Sequence, residues 1–184
     1  MANFTQKAIK ESFLKLLTER PLNKITVRDI VEDCGINRNS FYYHFQDIPT
    51  LLEEIITEET TLIIEKYPTI STLEECFQTA FEFALHNQKA IFHIYNSVNR
   101  DVFERELLKL CDSVVQTYVR TVFEPGIMNE SDAAVLTRFI KCELFGLTIE
   151  WMNAGMNPDA IHDLTRVVEL CKGLSDELIR RSGK

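Results

Sequence analysis

Hydrophobic side chains recur every three or four residues along most of the chain, which is the spacing of one face of an α-helix. In the first such segment, Ile9, Phe13, Leu16 and Leu17 form one stripe, while lysines and glutamates occupy other positions. The six glycines and five prolines in 184 residues are too few for a turn-rich all-β protein. We therefore predict an all-α fold of about nine helices, at about residues 3–19, 27–34, 38–44, 49–66, 72–87, 89–97, 100–123, 132–154 and 158–181.

Residues 25–52 have the pattern of two short helices around a tight turn, followed by the start of a longer helix. Thr26 can cap the first short helix, and Asn37 can cap the second. Gly35 stands between them, where a helix end favours a left-handed residue. The second helix turns Phe41 and Phe45 inward. Its outward residues are polar or aromatic: Arg38, Asn39, Ser40, Tyr42, Tyr43 and His44.

This arrangement is a helix-turn-helix whose outer face suits a DNA groove. Tyr42 and Tyr43 could instead be half-buried aromatics that cover the domain core. However, adjacent helix residues point about 100° apart, so both rings cannot face one core. With Arg38 and Asn39 beside them, we favour DNA contact.

The helix boundaries after this motif follow from capping residues and prolines. Pro21 ends the first helix, and Pro49 fits the first turn of the fourth, with Asp47 or Ile48 at its cap. Ser71 or Thr72 can cap the next helix, with Glu74 or Glu75 near the third position as in a capping box. These signals place each motif residue on a defined helix.

The net charge of −8 argues at first against a nucleic-acid partner. Residues 1–48, however, carry seven basic and six acidic side chains, so the acidic excess lies in the rest of the chain. Charge interactions are screened over about 8–10 Å in physiological salt. A slightly basic N-terminal segment, residues 1–48 (the head), joined to an acidic remainder can therefore bind DNA, with modest affinity.

The body, from residue 71 onward, is rich in large aromatic side chains. Most of these side chains must form the hydrophobic core. As a set they could also line a cavity for a small apolar or aromatic molecule, and the sequence leaves both interpretations open. The candidate pocket residues are Phe77, Phe81, His86, His93, Tyr95, Phe103, Cys111, Tyr118, Phe139, Cys142 and Trp151. Because His86 and His93 lack a third ligand, core or pocket lining is favoured over zinc. We expect no metal and no cofactor.

The last two predicted helices have apolar faces broader than one neighbouring helix would cover. The surplus indicates a second copy of the chain, with two helices from each subunit packed as a four-helix bundle. The predicted interface residues are Phe139, Leu147, Ile161, Leu164, Val168 and Cys171.

The five cysteines are odd in number, widely spaced and set within apolar patterns. We interpret them as reduced core residues of a cytosolic protein. The N-terminus lacks the apolar run of a signal peptide, and no segment has the length and apolar character of a membrane span. We expect a cytoplasmic protein without a membrane partner.

The motif residues resemble the TetR family of bacterial transcriptional regulators. The resemblance rests on I-T-V-R-D-I at 25–30, Gly35, R-N-S-F-Y-Y-H-F at 38–45 and the pair Leu51-Leu52. It implies a homodimer in which a DNA-binding domain, residues 1–48, enters the major groove of a double-stranded operator. Residues 49–184 would then bind a small-molecule effector and dimerise.

The same resemblance assigns roles by position. Arg38, Asn39 and Ser40 would face base edges or phosphates, and Tyr42, Tyr43 and His44 would contact backbone and bases. Thr26 and Arg28 would touch phosphate from the preceding helix, and we include Asn37, the cap, among the DNA-binding residues.

The sequence departs from the family where Ile48-Pro49 replace the usual lysine, which predicts weaker and less salt-dependent DNA binding. Segment 145–155 is similar to the Firmicutes type of ligand domain found in the activator of dihydroxyacetone kinase genes. We expect a ligand-responsive repressor that binds a palindromic operator as a dimer. The alternative is a co-regulator or activator of the same fold that acts through a partner protein. An enzyme is not expected, because Gly-rich phosphate loops, H-E-x-x-H and G-x-S-x-G are absent from the sequence.

Overall fold

The computed structural model describes residues 2–86, 88–97, 99–123, 127–157, 163, 166–167, 169–171 and 173–182. It confirms the all-α prediction. The helices with defined bounds are α1 Ala2–Glu19, α2 Val27–Asp33, α3 Arg38–His44, α4 Ile48–Lys66, α5 Leu73–His86, α6 Gln88–Tyr95, α7 Arg100–Val122, α8 Glu130–Asn153 and α9 Leu174–Ser182. None of the helices described has the length and hydropathy needed to cross a membrane.

The first compact unit consists of Met1–Thr60 and His86–Glu106. It contains α1, α2, α3, most of α4, and also α6 with the start of α7. The predicted stripe of α1 is confirmed as core, because Ile9, Phe13 and Leu17 are fully buried. Burial of these side chains removes apolar surface from water, which is the main force that holds such short helices together.

The second compact unit consists of Thr61–Leu85 and Leu107–Lys184. The Phe81 ring meets the Trp151 ring edge-on, with centroids 4.7 Å apart. The Trp151 Nε1–H donates a hydrogen bond to the Asn157 carbonyl oxygen at 2.7 Å. Trp151 thus closes the turn after α8, in which Gly155 and Met156 both have positive φ.

The compact units do not divide the chain at the predicted domain boundary between residues 48 and 49. The first unit extends through α4 to Thr60 and also includes His86–Glu106. The assignment of residues 1–48 to DNA binding and 49–184 to ligand binding and dimerisation stays a prediction about function.

The last predicted helix, 158–181, differs from the structure. Residues 158–162, 164, 165, 168 and 172 of this segment lie outside the described part, and the described residues 163, 166–167 and 169–170 are helical. The helix is then interrupted, because Gly173 takes a φ of 80°. A left-handed glycine ends a helix readily, so α9 begins only at Leu174.

The prediction that the cysteines are core residues is only partly correct. All five cysteines are free thiols. Cys76 and Cys111 are buried, and burial raises the pKa of each thiol to about 12. Cys34 and Cys171 are half-buried and Cys142 is exposed, so these three are not core residues.

Candidate nucleic-acid interface

The start of α2 is fixed by a reciprocal pair of hydrogen bonds between Thr26 and Asp29. The Thr26 backbone N–H donates to Asp29 Oδ2 at 2.8 Å, and the Asp29 N–H donates to Thr26 Oγ1 at 3.3 Å. This capping box confirms Thr26 as the N-cap. Hydrogen bonds from Thr26 lower the pKa of the Asp29 carboxyl, and the Arg20 guanidinium, 3.2 Å away, acts in the same direction.

The turn between α2 and α3 also follows the sequence pattern. Gly35 has a φ of 72°, and the Ile36 N–H donates to the Val31 carbonyl at 3.0 Å, which closes the end of α2. Asn37 Oδ1 accepts hydrogen bonds from the Ser40 backbone N–H at 2.9 Å and from Ser40 Oγ at 3.2 Å. Asn37 is therefore the predicted cap of α3, and Ser40 is engaged in that cap.

Helix α3 has one buried and one exposed side. Phe41 and Phe45 are almost completely buried. Tyr42 is 54% exposed and Tyr43 is 79% exposed. The Tyr42 ring meets Phe41 edge-on at 5.5 Å, and the Tyr43 ring meets His44 edge-on at 5.0 Å, so each tyrosine is oriented by a neighbour.

The remaining predicted DNA contacts differ in exposure. Arg38 and Asn39 are exposed at the start of α3, whereas Ser40 and His44 are half-buried. Arg28 lies on the exposed side of α2 and forms an ion pair with Glu32, Nε to Oε1 at 2.6 Å. The hydrogen bond to the Glu32 carboxylate raises the pKa of Arg28, so the guanidinium stays charged, and the carboxylate beside it offsets part of the positive charge available to a phosphate.

Helix α1 contacts α2 of the helix-turn-helix through a hydrogen bond and an ion pair. Ser12 Oγ donates a buried hydrogen bond to the Ile30 carbonyl of α2 at 3.2 Å. Lys15 Nζ lies 2.5 Å from Asp33 Oδ1 at the end of α2. Both contacts hold α2 on α1, and α3 follows α2 after a turn of only a few residues.

Helix α4 begins directly after the motif. Of the two predicted caps, Asp47 is the one used: its Oδ1 accepts from the Thr50 N–H at 2.8 Å and from Thr50 Oγ1 at 2.7 Å. These hydrogen bonds lower the pKa of the Asp47 carboxyl. Ile48 and Pro49 occupy the first two positions of α4, so neither position supplies a charged side chain that could bind a phosphate.

Two family models match the chain. The model described as bacterial regulatory proteins, tetR family, matches residues 13–55, which contain the motif above. The model described as transcriptional regulator C-terminal region matches residues 71–167, which is more than half of the chain. The chain belongs to the TetR family of transcriptional regulators.

Individual relatives agree with this assignment over different lengths. The uncharacterized HTH-type transcriptional regulator YxbF of Bacillus subtilis (strain 168) is 29% identical over 58 residues, which is 32% of this chain and 15% of the relative's own length. The solved structure of the dihydroxyacetone kinase operon activator DhaS is similar with a TM-score of 0.68, covering 90% of this chain and 97% of that one. Its sequence identity is only 18%, so this likeness concerns the fold.

The candidate pocket residues of this TetR-family regulator do not lie in a single unit. His93, Tyr95 and Phe103 belong to the first unit. The second unit holds the buried residues Phe77, Phe81, Cys111, Tyr118 and Trp151 and the exposed residues Phe139 and Cys142. The side chain of His86 lies outside the described part. Among the residues described, no three His, Cys, Asp or Glu side chains are grouped so that they could hold a metal ion.

The candidate dimer residues are only partly described. Phe139 is 62% exposed on α8, Leu147 and Cys171 are half-buried, and Ile161, Leu164 and Val168 lie outside the described residues. Four further apolar side chains in the same two segments of sequence are exposed: Val135, Val167, Leu170 and Leu174.

One contact of helix α1, which packs against the helix-turn-helix, was not predicted from the sequence. His93 of α6 lies with Nδ1 2.7 Å from the carbonyl oxygen of Leu17 in α1, across 76 residues of sequence. The available signal was Pro21, which lacks the N–H that would otherwise serve the Leu17 carbonyl.

Proposed function

We propose that this regulator is a repressor that binds a palindromic double-stranded operator as a homodimer and releases it when a small molecule binds. The observation that carries the proposal is the outward face of α3, where Arg38, Asn39, Tyr42 and Tyr43 stand opposite two buried phenylalanines. Arginine can bind guanine through two hydrogen bonds, asparagine can read adenine, and tyrosine hydroxyls can bind phosphate.

The residues around this face support its positioning on DNA. Thr26 and Arg28 on α2 are assigned to phosphate, and His44 to the backbone at the end of α3. Ser40 and Asn37 bond to each other, so we assign them first to holding the start of α3 and second to DNA. Since Ile48 and Pro49 add no cation, few phosphates are neutralised per head and the salt dependence is shallow.

Dimerisation compensates for the weak binding of one head. The exposed apolar side chains Val135 and Phe139 of α8, together with Val167, Leu170 and Leu174, are ones that a second copy can cover. Two heads on one dimer read two half-sites, and the second head binds without a second loss of translational freedom. An operator with two-fold symmetry follows from this arrangement.

The effector site is assigned to the aromatic core of the second unit, around Phe77, Phe81, Tyr118 and Trp151. Its apolar character suits a small aromatic or apolar molecule. Indole and salicylate are simple probes of this assignment. A probe that binds should raise the melting temperature and lower operator affinity together; stabilisation without an effect on DNA would separate binding from regulation.

Selection of bound fragments from random and genomic DNA by the purified full chain tests the proposal. A palindromic consensus is expected, and the double variant Arg38→Ala, Tyr42→Ala should fail to select it while keeping its helical content. If the wild-type chain enriches no DNA sequence, the proposal that it binds an operator is wrong. Enrichment of a non-repeated half-site would contradict the symmetric dimer. A bacterial regulator of this kind acts in the cytoplasm, where the DNA lies.

A further inference from the structure

The contact between α6 and α1 links two parts of the sequence that match different family models. Leu17 lies in the segment matched by the N-terminal model, and His93 lies in the segment matched by the C-terminal model. Both residues nevertheless belong to the first compact unit. His93 Nδ1 and the Leu17 carbonyl oxygen are 2.7 Å apart, and the hydrogen bond is partly buried.

The Leu17 carbonyl needs a partner from outside its own helix. Helix α1 ends at Glu19, and the residue four positions after Leu17 is Pro21, which has no N–H to donate. The preceding carbonyl, that of Leu16, is served locally by the Arg20 N–H at 3.0 Å. The sequence therefore leaves the Leu17 oxygen available, and His93 satisfies it.

The chemistry of the pair fixes which group donates. A carbonyl oxygen can only accept, so the proton must lie on Nδ1 of His93. The partial negative charge at the C-terminal end of α1 strengthens the acceptor. Loss of this donor would leave a partly buried carbonyl without its partner, which costs more than the loss of an exposed hydrogen bond.

Leu17 stands on the same part of α1 that holds α2. Ser12 donates to Ile30, Lys15 pairs with Asp33, and Arg20 lies 3.2 Å from the capping carboxylate Asp29. Any shift of the C-terminal half of α1 therefore reaches α2 through these contacts. Helix α3 follows α2 directly in the chain, so the position of α3 depends on α1.

We infer that His93 is a positioning residue of the DNA-binding motif: from α6 it fixes the C-terminal end of α1, and through α1 it sets how α2 and α3 meet DNA. The effect on operator affinity rests on the proposed function above. The effect on α1 and α2 does not depend on it.

The test compares two amide substitutions in the full-length chain. In His93→Asn the side-chain NH2 can stand near the position of Nδ1, whereas in His93→Gln it reaches toward the position of Nε2. Operator affinity, measured well below the melting temperature, should fall about 3- to 10-fold in His93→Gln and stay within about twofold of wild type in His93→Asn. Lys89→Ala, an exposed change on the same helix, is the matched control and should have no effect.

Hydrogen exchange of the α1 and α2 backbone amides provides the second readout. Protection in α2 should fall in His93→Gln and be retained in His93→Asn, with unchanged sedimentation of both variants. Equal operator affinity and equal α2 protection in the two variants would overturn the inference, even if both melt at a lower temperature. If the wild-type chain selects no operator, the proposed function fails, and the exchange comparison alone decides the role of His93.

Discussion

The outward faces of α3 and α8 are both exposed, but their chemistry differs. On α3, Tyr42 and Tyr43 combine an apolar ring with a hydroxyl and stand beside Arg38. On α8, Val135 and Phe139 are exposed to a similar degree, at 64% and 62%, and neither side chain has a polar atom. An exposed aromatic with a polar tip fits a wet, phosphate-lined groove, whereas an exposed phenylalanine and valine fit another apolar surface. Exposure alone therefore does not identify the partner of either helix. The presence or absence of polar atoms on the exposed side chains does.

The two helices also differ in how they are held. Helix α3 has seven residues, too few to be stable alone, so it depends on its cap at Asn37 and its anchor Phe41. Helix α8 has 24 residues, and its opposite side is buried through Leu144 and Trp151. Changes near α3 should therefore alter DNA binding and local structure together, whereas changes on the exposed face of α8 should alter association and leave the fold intact.

The largest effect is expected from Phe139→Glu on α8. A carboxylate placed in an apolar interface loses its hydration, so the dimer should weaken by roughly 2–4 kcal/mol. Operator affinity should fall with it, because only one head would bind. Analytical ultracentrifugation measures the association, and circular dichroism checks the fold.

Leu62→Glu is the matched control for this change. Leu62 is 58% exposed on α4, close to the exposure of Phe139, and lies outside the proposed interface. It should remain dimeric and bind the operator normally. If Phe139→Glu sediments as a dimer, or if both variants dissociate equally, the α8 face is not the interface.

A smaller effect is expected from Arg38→Ala or Tyr42→Ala on α3. Each should weaken operator binding by about 1–3 kcal/mol, because a contact to a base edge or phosphate is lost, and should leave dimerisation unchanged. Leu62→Ala, which removes an exposed apolar side chain from α4, serves as the control. Fluorescence anisotropy with the selected operator measures the change. If both variants bind the operator with wild-type affinity, α3 does not contact the DNA in the proposed way.

The local features of the helix-turn-helix could be predicted from sequence because they depend on near neighbours. The cap at Thr26, the left-handed Gly35 and the cap at Asn37 each follow from hydrogen bonds or backbone angles within three or four residues. The inward direction of Phe41 follows from helical periodicity in the same way. Such signals are carried by the segment itself.

Long-range features could not be predicted in this way. Pro21 indicates that the Leu17 carbonyl lacks a local donor, but it does not indicate that His93 supplies one. Periodicity likewise predicts an apolar face on α4, yet Leu62 on that helix is exposed and Ile55 is buried. Whether a face is covered depends on other elements, and a single sequence does not encode that in its own spacing.

The position of Asn37 allows capping and DNA contact to be separated. Asn37→Ala should lower the free energy of unfolding by about 1 kcal/mol, because the Ser40 N–H loses its side-chain acceptor. Asn37→Asp keeps an acceptor at the cap but adds a negative charge beside the DNA, so stability should be retained while operator affinity falls. Urea denaturation and anisotropy measure the two quantities. If Asn37→Asp keeps wild-type operator affinity as well as wild-type stability, Asn37 acts only as the helix cap and does not lie beside the DNA.

The smallest effect is expected at the starts of α2 and α4, where carboxylates accept hydrogen bonds; the apolar face of α8 has no comparable titrating group. The Asp29 carboxyl accepts hydrogen bonds from the Thr26 hydroxyl and backbone N–H, and the Asp47 carboxyl accepts from the Thr50 backbone N–H and hydroxyl. These hydrogen bonds lower both pKa values below the ordinary value of 3.8. A lowered pKa in the folded state means that the stabilisation is present above pH 3.8 and is lost as the pH falls through the folded value. The amide proton shifts of Thr26 and Thr50 should therefore titrate with midpoints below 3.8. Midpoints at or above 3.8 would mean that these carboxylates do not hold the starts of α2 and α4.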